Sequence, residues 1–472
     1  MLGTGLVVRS RRLLGALRTA LGRHAGLLGL LRRSIAVLRD EGWPGIVLRW
    51  TLLFSAQRRN EPSPPTDHGG SDPSLNPNNL TLPAPPDTRW RQRHRTDLLP
   101  GAVLVGHPYA VLGRGEDVRT GACAFAAADI PFTLRNTFGD YGKEMAVFQQ
   151  NFPFMDRMDS RIARKANVFY LNANEMDDAF AHLGADFFTG CYNIGYWAWE
   201  LSEFPDAWLS AFRYVDEIWV HTRFIQQAVA DKAPCPVLCM PVAVEPVSSA
   251  KFSRAYFGLP DVGFLVLFFF DFRSFIHRKN PEAALRAFFL AFQNELDASA
   301  RLIIKVNGAD ARPDDYQVFL ASEAVRDPRV TLIDRIMEDW EITELVRLCD
   351  CFLSLHRSEG FGRGLAEAMY FGKPVIATGY SGNVDFMNEA NSCLVDYTLI
   401  PVSAAQYPYG AGQIWAEPDV EQAAWYLRRL VKDSSYVSEI GQRAAHYIQT
   451  YHNYAAIGAR HRRRLEKLGL LG

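Results

Sequence analysis

Residues 351–387 read CFLSLHRSEGFGRGLAEAMYFGKPVIATGYSGNVDFM. The apolar run Cys351–Leu355 predicts a buried strand, Gly364–Phe371 a helix and Pro374–Thr378 a second buried strand. Glycine-containing turns follow both strands. A strand, a glycine turn and a helix N-terminus present free backbone N–H groups and the positive end of a helix dipole, which suit a phosphate or a sugar hydroxyl. Gly360, Gly362 and Gly364 let the backbone turn sharply and approach a ligand closely. Glu359 and Glu367 bracket this turn, one before the helix and one a turn inside it. At about 1.5 Å per residue their separation covers roughly 10–12 Å, the span from a nucleotide ribose to the sugar beyond its diphosphate.

Outward from this stretch the chain alternates strands and helices, the pattern of a doubly wound parallel sheet. Strands are expected at Ala102–Gly106, Phe132–Arg135, Asn167–Leu171, Glu217–His221 and Val237–Met240, and the pattern restarts near residues 245–258. Phe264–Phe270, Arg301–Val306 and Val330–Ile333 then lead back to the opening stretch. The α/β class follows, with two Rossmann-like domains facing across a cleft. The expected divisions are a basic helical extension (1–59), a Pro/Ser/Asn-rich linker (60–89), an acceptor-side domain (90–252), a nucleotide-sugar domain (253–440) and C-terminal helices packing back (441–472).

Composition narrows the function classes. A net charge of -1 offers no global argument for nucleic-acid binding. Seven cysteines, an odd number with no pair of CxxC motifs, support neither a disulfide framework nor a zinc site and point to a reducing, cytoplasmic setting. No strand-borne Asp-x-Asp is present to hold a divalent ion, so no metal is expected. Before Asp40 every charged residue is an arginine, and leucines recur at helical spacing opposite them. Those arginines interrupt each apolar run short of the ~18 residues that span a bilayer, but such a helix can lie on an anionic membrane surface. The alternatives are a helix packed on the protein's own body or a transit peptide.

A basic cluster, Arg273, His277, Arg278 and Lys279, follows the central strand of the second domain in FDFRSFIHRKNP. Loops in that position face the cleft, and neutralising a diphosphate is the main electrostatic task in cleaving a sugar nucleotide. Lys305, in LIIKVNG, is topologically similar. On the acceptor side, LGRGEDVR places Gly113, Gly115, Glu116 and Arg119 in a glycine loop entering a helix, with His107 just before it. Glu200 lies among the aromatics of YNIGYWAWELSEFP, where core packing competes with a role in the cleft. Ser381, Gly382 and Asn383 form a turn after a buried strand, able to place amides near a sugar or phosphate.

Together these motifs resemble the retaining glycosyltransferases of the GT-B fold, family 4 (glycosyl transferases group 1). Glu359 and Glu367 fit that family's E-x7-E signature, amid EGFG, AEAM and GKPVIAT, and Arg273 with Lys279 fits its diphosphate clamp. RKNPEAALRAF, SGNVDFM, GRGEDVR and NIGYWAWELSEFPDAW look like the subgroup that builds bacterial surface polysaccharides, including mannosyltransferase-like members. The resemblance covers roughly residues 100–460. It implies that Glu367 holds the ribose, Glu359 the donor-sugar hydroxyls, Arg278 and Lys279 the diphosphate, and that Phe361 and Gly362 offer amides. It implies no metal and no cofactor beyond the nucleotide-diphosphate sugar itself, GDP-mannose or a UDP-sugar, with a glycan or lipid-linked acceptor. Arg363-Gly364 departs from the commoner Leu-Pro, which bears on donor-sugar fit. Two other classes compete: a non-catalytic binding or scaffold protein of a polysaccharide assembly complex, and a nicotinamide-dependent oxidoreductase. The second leaves Glu359, Glu367 and the basic clamp unexplained.

Overall fold

Two sets of apolar strands each close into a parallel six-stranded sheet. The first contains β1 (Leu99–Gly106), β2 (Phe132–Asn136), β3 (Arg164–Phe169), β4 (Tyr192–Trp197), β5 (Glu217–Val220) and β6 (Val237–Cys239), in the order β2-β1-β3-β4-β5-β6. The second contains β7 (Phe264–Asp271), β8 (Ala300–Asn307), β9 (Val330–Asp334), β10 (Cys351–Ser354), β11 (Val375–Thr378) and β12 (Cys393–Val395), in the order β12-β11-β10-β7-β8-β9. An antiparallel hairpin, β13 (Tyr397–Pro401) and β14 (Ile414–Pro418), follows the second sheet. This structure, a computed structural model, describes residues 95–110, 113–137, 152–158, 162–293 and 300–472, which belong to one compact unit. The expected basic extension at 1–59 and linker at 60–89 lie outside the described residues.

Strand order fixes where a ligand can sit. The second sheet grows from β7 through β8 to β9, then reverses to the other side of β7 with β10. The loops after β7 and β10 therefore diverge and leave a crevice at the carboxyl edge, the switch point of a doubly wound sheet. The first sheet has the same reversal between β1 and β3. There His107, after β1, meets Glu175, after β3, with Nε2 and Oε1 3.0 Å apart.

The helix in the opening stretch runs Arg363–Tyr370, and Gly362 at φ +91° supplies the left-handed residue that starts it. Two elements depart from the sequence reading. NIGYWAW contributes β4, whose aromatic residues mask the alternation of a strand. The β13–β14 hairpin consists of two five-residue strands, YTLIP and IWAEP, joined by a polar, Pro- and Gly-containing segment, to all of which the sequence reading assigns no element.

The C-terminal helices divide between the domains. Ser434–Tyr451 packs in the second, where a Cβ on Gly441 would lie 2.1 Å from the Gly372 carbonyl. Tyr454–Lys467 returns to the first, where a Cβ on Gly458 would lie 2.1 Å from the Ala124 carbonyl of helix Gly113–Ala127. On the same helix His461 stacks on Trp219, and Arg464 pairs with buried Glu217. The two crossings are tied together: Val244 N donates to His452 O at 2.7 Å, and Tyr454 N to Glu245 Oε2 at 2.8 Å. Among the described residues no helix is long and apolar enough to cross a membrane.

Candidate active site

The second sheet's switch point gathers the basic loop and the glycine turn. After β7 the chain makes a short helix, Ile276–Lys279, framed by two non-glycine residues with positive φ, Phe275 (+65°) and Asn280 (+53°). Such residues cost on the order of 1–3 kcal/mol each and persist only where their surroundings hold them. This framing aims Arg278 and Lys279 at Glu359. Lys279 Nζ donates to Glu359 Oε1, Arg278 Nη1 lies 3.2 Å from Oε2, and Arg278 Nη1 also donates to the Ser358 carbonyl at 2.9 Å. Burial alone would raise the Glu359 carboxyl, but Lys279 and Arg278 hold it down at about 2. A buried carboxylate between two cations thus stays ionised throughout the neutral range.

The turn after β11 closes against the backbone of Glu359. Glu359 N donates to Ser381 Oγ at 2.8 Å, and Gly382 N donates to the Glu359 carbonyl at 2.9 Å. A Cβ on Gly382 would lie 2.0 Å from the Gly360 carbonyl, so only glycine fits. Asn383 is buried: its Nδ2 donates to Thr378 O at 2.9 Å and its Oδ1 accepts from His356 Nε2 at 3.1 Å. Gly364 packs its backbone on the Phe269 ring, and the Phe361 side chain turns into the core beside Phe386 and His452.

Glu367, half-buried a turn inside the helix, belongs to a second group that spans both domains. Burial raises its carboxyl to about 8, with Glu116 and Asp339 adding to the rise against Arg363. Arg363 reaches away from the turn. Its Nη2 lies 2.7 Å from Asp117 Oδ1 on helix Gly113–Ala127, and its Nη1 donates to the Ala243 carbonyl at 3.2 Å. Arg119 pairs with Glu116 at 2.7 Å and with Asp339 at 3.4 Å, and donates to the Pro108 and Ala110 carbonyls at 3.0 Å each. Gly115 lets that loop sit close, since a Cβ would lie 2.2 Å from the Ala110 carbonyl, whereas Gly113 has open space around it.

Two of the expected donor residues stand apart from both groups. Arg273 is 41% exposed at its side chain and pairs with Asp271 and Asp310. Lys305 is buried, its ammonium bonded to the Val306 carbonyl and Asn307 Oδ1, and burial lowers it to about 8. Glu200 accepts a hydrogen bond from the Tyr407 hydroxyl at 2.7 Å. Among the described residues no group of three or more His, Cys, Asp or Glu side chains is arranged to hold a metal ion.

Residues 267–447 match the family model Glycosyl transferases group 1. No curated protein matches the chain. Among solved structures, HepE of Anabaena in complex with UDP and glucose aligns at TM-score 0.56 and 14% identity, covering 78% of this chain and 100% of that one. Sucrose-phosphate synthase of Thermosynechococcus elongatus aligns at 0.55 and 14%, covering 79% and 100%. A glycosyltransferase of Rickettsia africae aligns at 0.55 and 12%, covering 78% and 98%. The fold is GT-B.

Several residues at this site carry no motif that marks them. Asp117 is buried and touches Arg114 at 2.8 Å as well as Arg363, with His221 Nε2 at 3.6 Å. Burial lowers His221 to about 4, so its ring is neutral near pH 7. Asp117 stands inside LGRGEDVR and could have been weighed beside Glu116. Thr222 Oγ1 donates across the cleft to the Gly360 carbonyl at 2.8 Å, and Tyr407 comes from a segment that no sequence pattern places near the site.

Proposed function

We propose that the protein moves a sugar from a nucleotide-diphosphate sugar to a glycan or lipid-linked acceptor with retention of the anomeric configuration, in surface polysaccharide biosynthesis. The observation that carries this reading is the buried Glu359–Arg278–Lys279 cluster at the carboxyl edge of β7 and β10, beside the N-terminus of helix Arg363–Tyr370. On this reading the diphosphate binds against Lys279, Arg278 and the amides of Phe361–Gly364. Glu359 accepts from donor-sugar hydroxyls and Glu367 from the ribose diol. The bond from the anomeric carbon to the diphosphate oxygen breaks as the acceptor oxygen bonds to that carbon on the same face. The acceptor proton passes to the departing phosphate oxygen. Fixed positive charge at the leaving oxygen then supplies most of the stabilisation, and no separate side-chain base or metal is invoked.

The HepE structure holds UDP and glucose, so UDP-glucose and GDP-mannose are the first donors to test. Lys279→Ala and Glu367→Ala are expected to abolish sugar-nucleotide turnover while the far-ultraviolet circular dichroism stays that of the wild type. Full activity in both variants would overturn the assignment. Contact of residues 1–59 with an anionic membrane belongs to the same proposal. Deleting them is expected to release the protein from phosphatidylglycerol vesicles, and unchanged co-sedimentation would refute that part.

A further inference from the structure

The β13–β14 hairpin and its connecting segment belong by sequence to the second domain, yet three of their buried side chains lie in the hydrophobic core of the first. Val402, Tyr407 and Trp415 join the cluster built on Trp197, Trp199, Phe204 and Phe212. The join is polar as well as apolar. Glu203 N donates to Gln413 Oε1 at 2.9 Å, and Gln413 Nε2 donates back to the Glu203 carbonyl at 3.2 Å. The hairpin is therefore a strap that fastens one domain to the other beside the cleft.

Tyr407 occupies the centre of this strap and is 6% exposed. Its hydroxyl donates to Glu200 Oε2 at 2.7 Å, and its ring meets Trp199 of the first domain at 5.9 Å. On its other side the ring packs on Phe275 at 4.9 Å, with the Arg278 guanidinium 6.0 Å from its centroid. Phe275 is the residue at φ +65° that opens the short helix carrying Arg278 and Lys279. A bulky residue in that region needs its surroundings to hold it, and Tyr407 is one of the groups that do so.

We infer that Tyr407 is a positioning residue: anchored to Glu200 of the first domain, it holds Phe275, and through Phe275 the orientation of Arg278 and Lys279. The roles of those two cations rest on the sugar-nucleotide reading above; the mechanical link does not. The seating of the strap on Glu200 and Trp199 of the first domain thereby sets the geometry of the cationic pair.

The test compares Tyr407→Phe, which removes only the hydroxyl, with Tyr407→Leu, which removes the ring contacts too, both in the full chain. Hydrogen exchange is read at the amides of Arg278, Lys279 and Asn280, which donate to Phe275 and Ile276 carbonyls. Steady-state kinetics use whichever of UDP-glucose and GDP-mannose the wild type turns over. Losing one hydrogen bond to a carboxylate is expected to lower kcat about tenfold in Tyr407→Phe, with KM within about threefold. Exchange at 278–280 is expected to quicken in both variants. A fall in Tm with kcat, KM and exchange at 278–280 all unchanged would make Tyr407 merely structural and overturn the inference. Should the wild type turn over neither donor, the donor assignment fails. The exchange result then decides the positioning role by itself, and Tyr407→Phe decides it if Tyr407→Leu does not fold.

Discussion

Arg363 and Asp117 meet across the cleft with Nη2 and Oδ1 2.7 Å apart, joining the glycine turn of the second domain to the first helix of the first domain. At the position where the family resemblance leads to the expectation of leucine, this chain carries a cross-domain ion pair. Burial would raise the Asp117 carboxyl, but His221, Arg114 and Arg363 surround it and hold it at about 2. The pair works together with the Thr222–Gly360 hydrogen bond and the Tyr407 strap to fasten the domains around the candidate donor site.

Removing Asp117 leaves Arg363 and Arg114 without their shared counterion and costs about 3–5 kcal/mol, whereas removing Arg363 leaves Asp117 paired with Arg114 at 2.8 Å and costs less. Arg363→Leu and Asp117→Leu are each expected to lower the urea midpoint of unfolding, Asp117→Leu by more. The swapped pair Arg363→Asp with Asp117→Arg is expected to lose less than the sum of the two single reversals. The Asp117 contribution is present above its unfolded pKa and lost as pH falls toward 2. Additive losses in the swapped variant would show that the two side chains do not interact.

Glu367 makes the opposite pH prediction. Its folded pKa of about 8 lies above the unfolded value, so the folded protein binds more protons between the two and stability falls as pH rises. Glu367→Gln removes that slope, at most about 1.4 kcal/mol per pH unit. Thermal melts of the ligand-free protein are expected to show the variant gaining on the wild type from pH 5 to pH 8. A constant difference in Tm over that range would contradict the assigned environment.

His356 links the turn to the sheet. Ser354 Oγ donates to its Nδ1 at 3.0 Å, and its Nε2 donates to Asn383 Oδ1 at 3.1 Å. Burial lowers the ring's pKa, leaving it neutral near pH 7. His356→Leu leaves buried hydroxyl and amide groups without a partner, costing about 1–3 kcal/mol. Because the wild type loses stability as pH falls through the unfolded histidine pKa, the gap between variant and wild type is expected to narrow below about pH 6.5. Chemical denaturation at pH 5.5 and pH 8 tests both the size and the trend.

The fold and the centre of the site were legible because both rest on local patterns. A continuous apolar strand, a glycine turn and a helix placed Glu359 and Glu367, and the position of Arg278 and Lys279 after a central strand aimed them at the crevice. Arg273 and Lys305 show the limit of that logic. They occupy similar loop or strand positions, yet nearby Asp271, Asp310 and Asn307 draw their side chains elsewhere. The Arg363–Asp117 pair and the Tyr407–Glu200 bond join residues 246 and 207 positions apart, and no local pattern encodes such contacts. The aromatic density that made Glu200 ambiguous belongs to a strand and its core, and its carboxylate instead receives the strap.

Two glycines near the candidate site contrast in how closely backbone approaches backbone. A methyl at Gly382 would meet the Gly360 carbonyl oxygen at 2.0 Å and the Glu359 carbonyl oxygen at 2.9 Å, and neither can move without opening the turn that carries the Glu359 carboxylate. A methyl at Gly113 meets nothing within 4 Å and lies at the start of a helix. Gly382→Ala is therefore expected to lose about 1–3 kcal/mol and to weaken UDP or GDP binding by calorimetry. Gly113→Ala is expected to hold or gain stability, by up to ~1 kcal/mol, through the reduced freedom of its unfolded chain. Equal thermal stability of the two variants would mean that the turns at 360 and 382 separate without cost, and that Glu359 is not fixed by the contact between them.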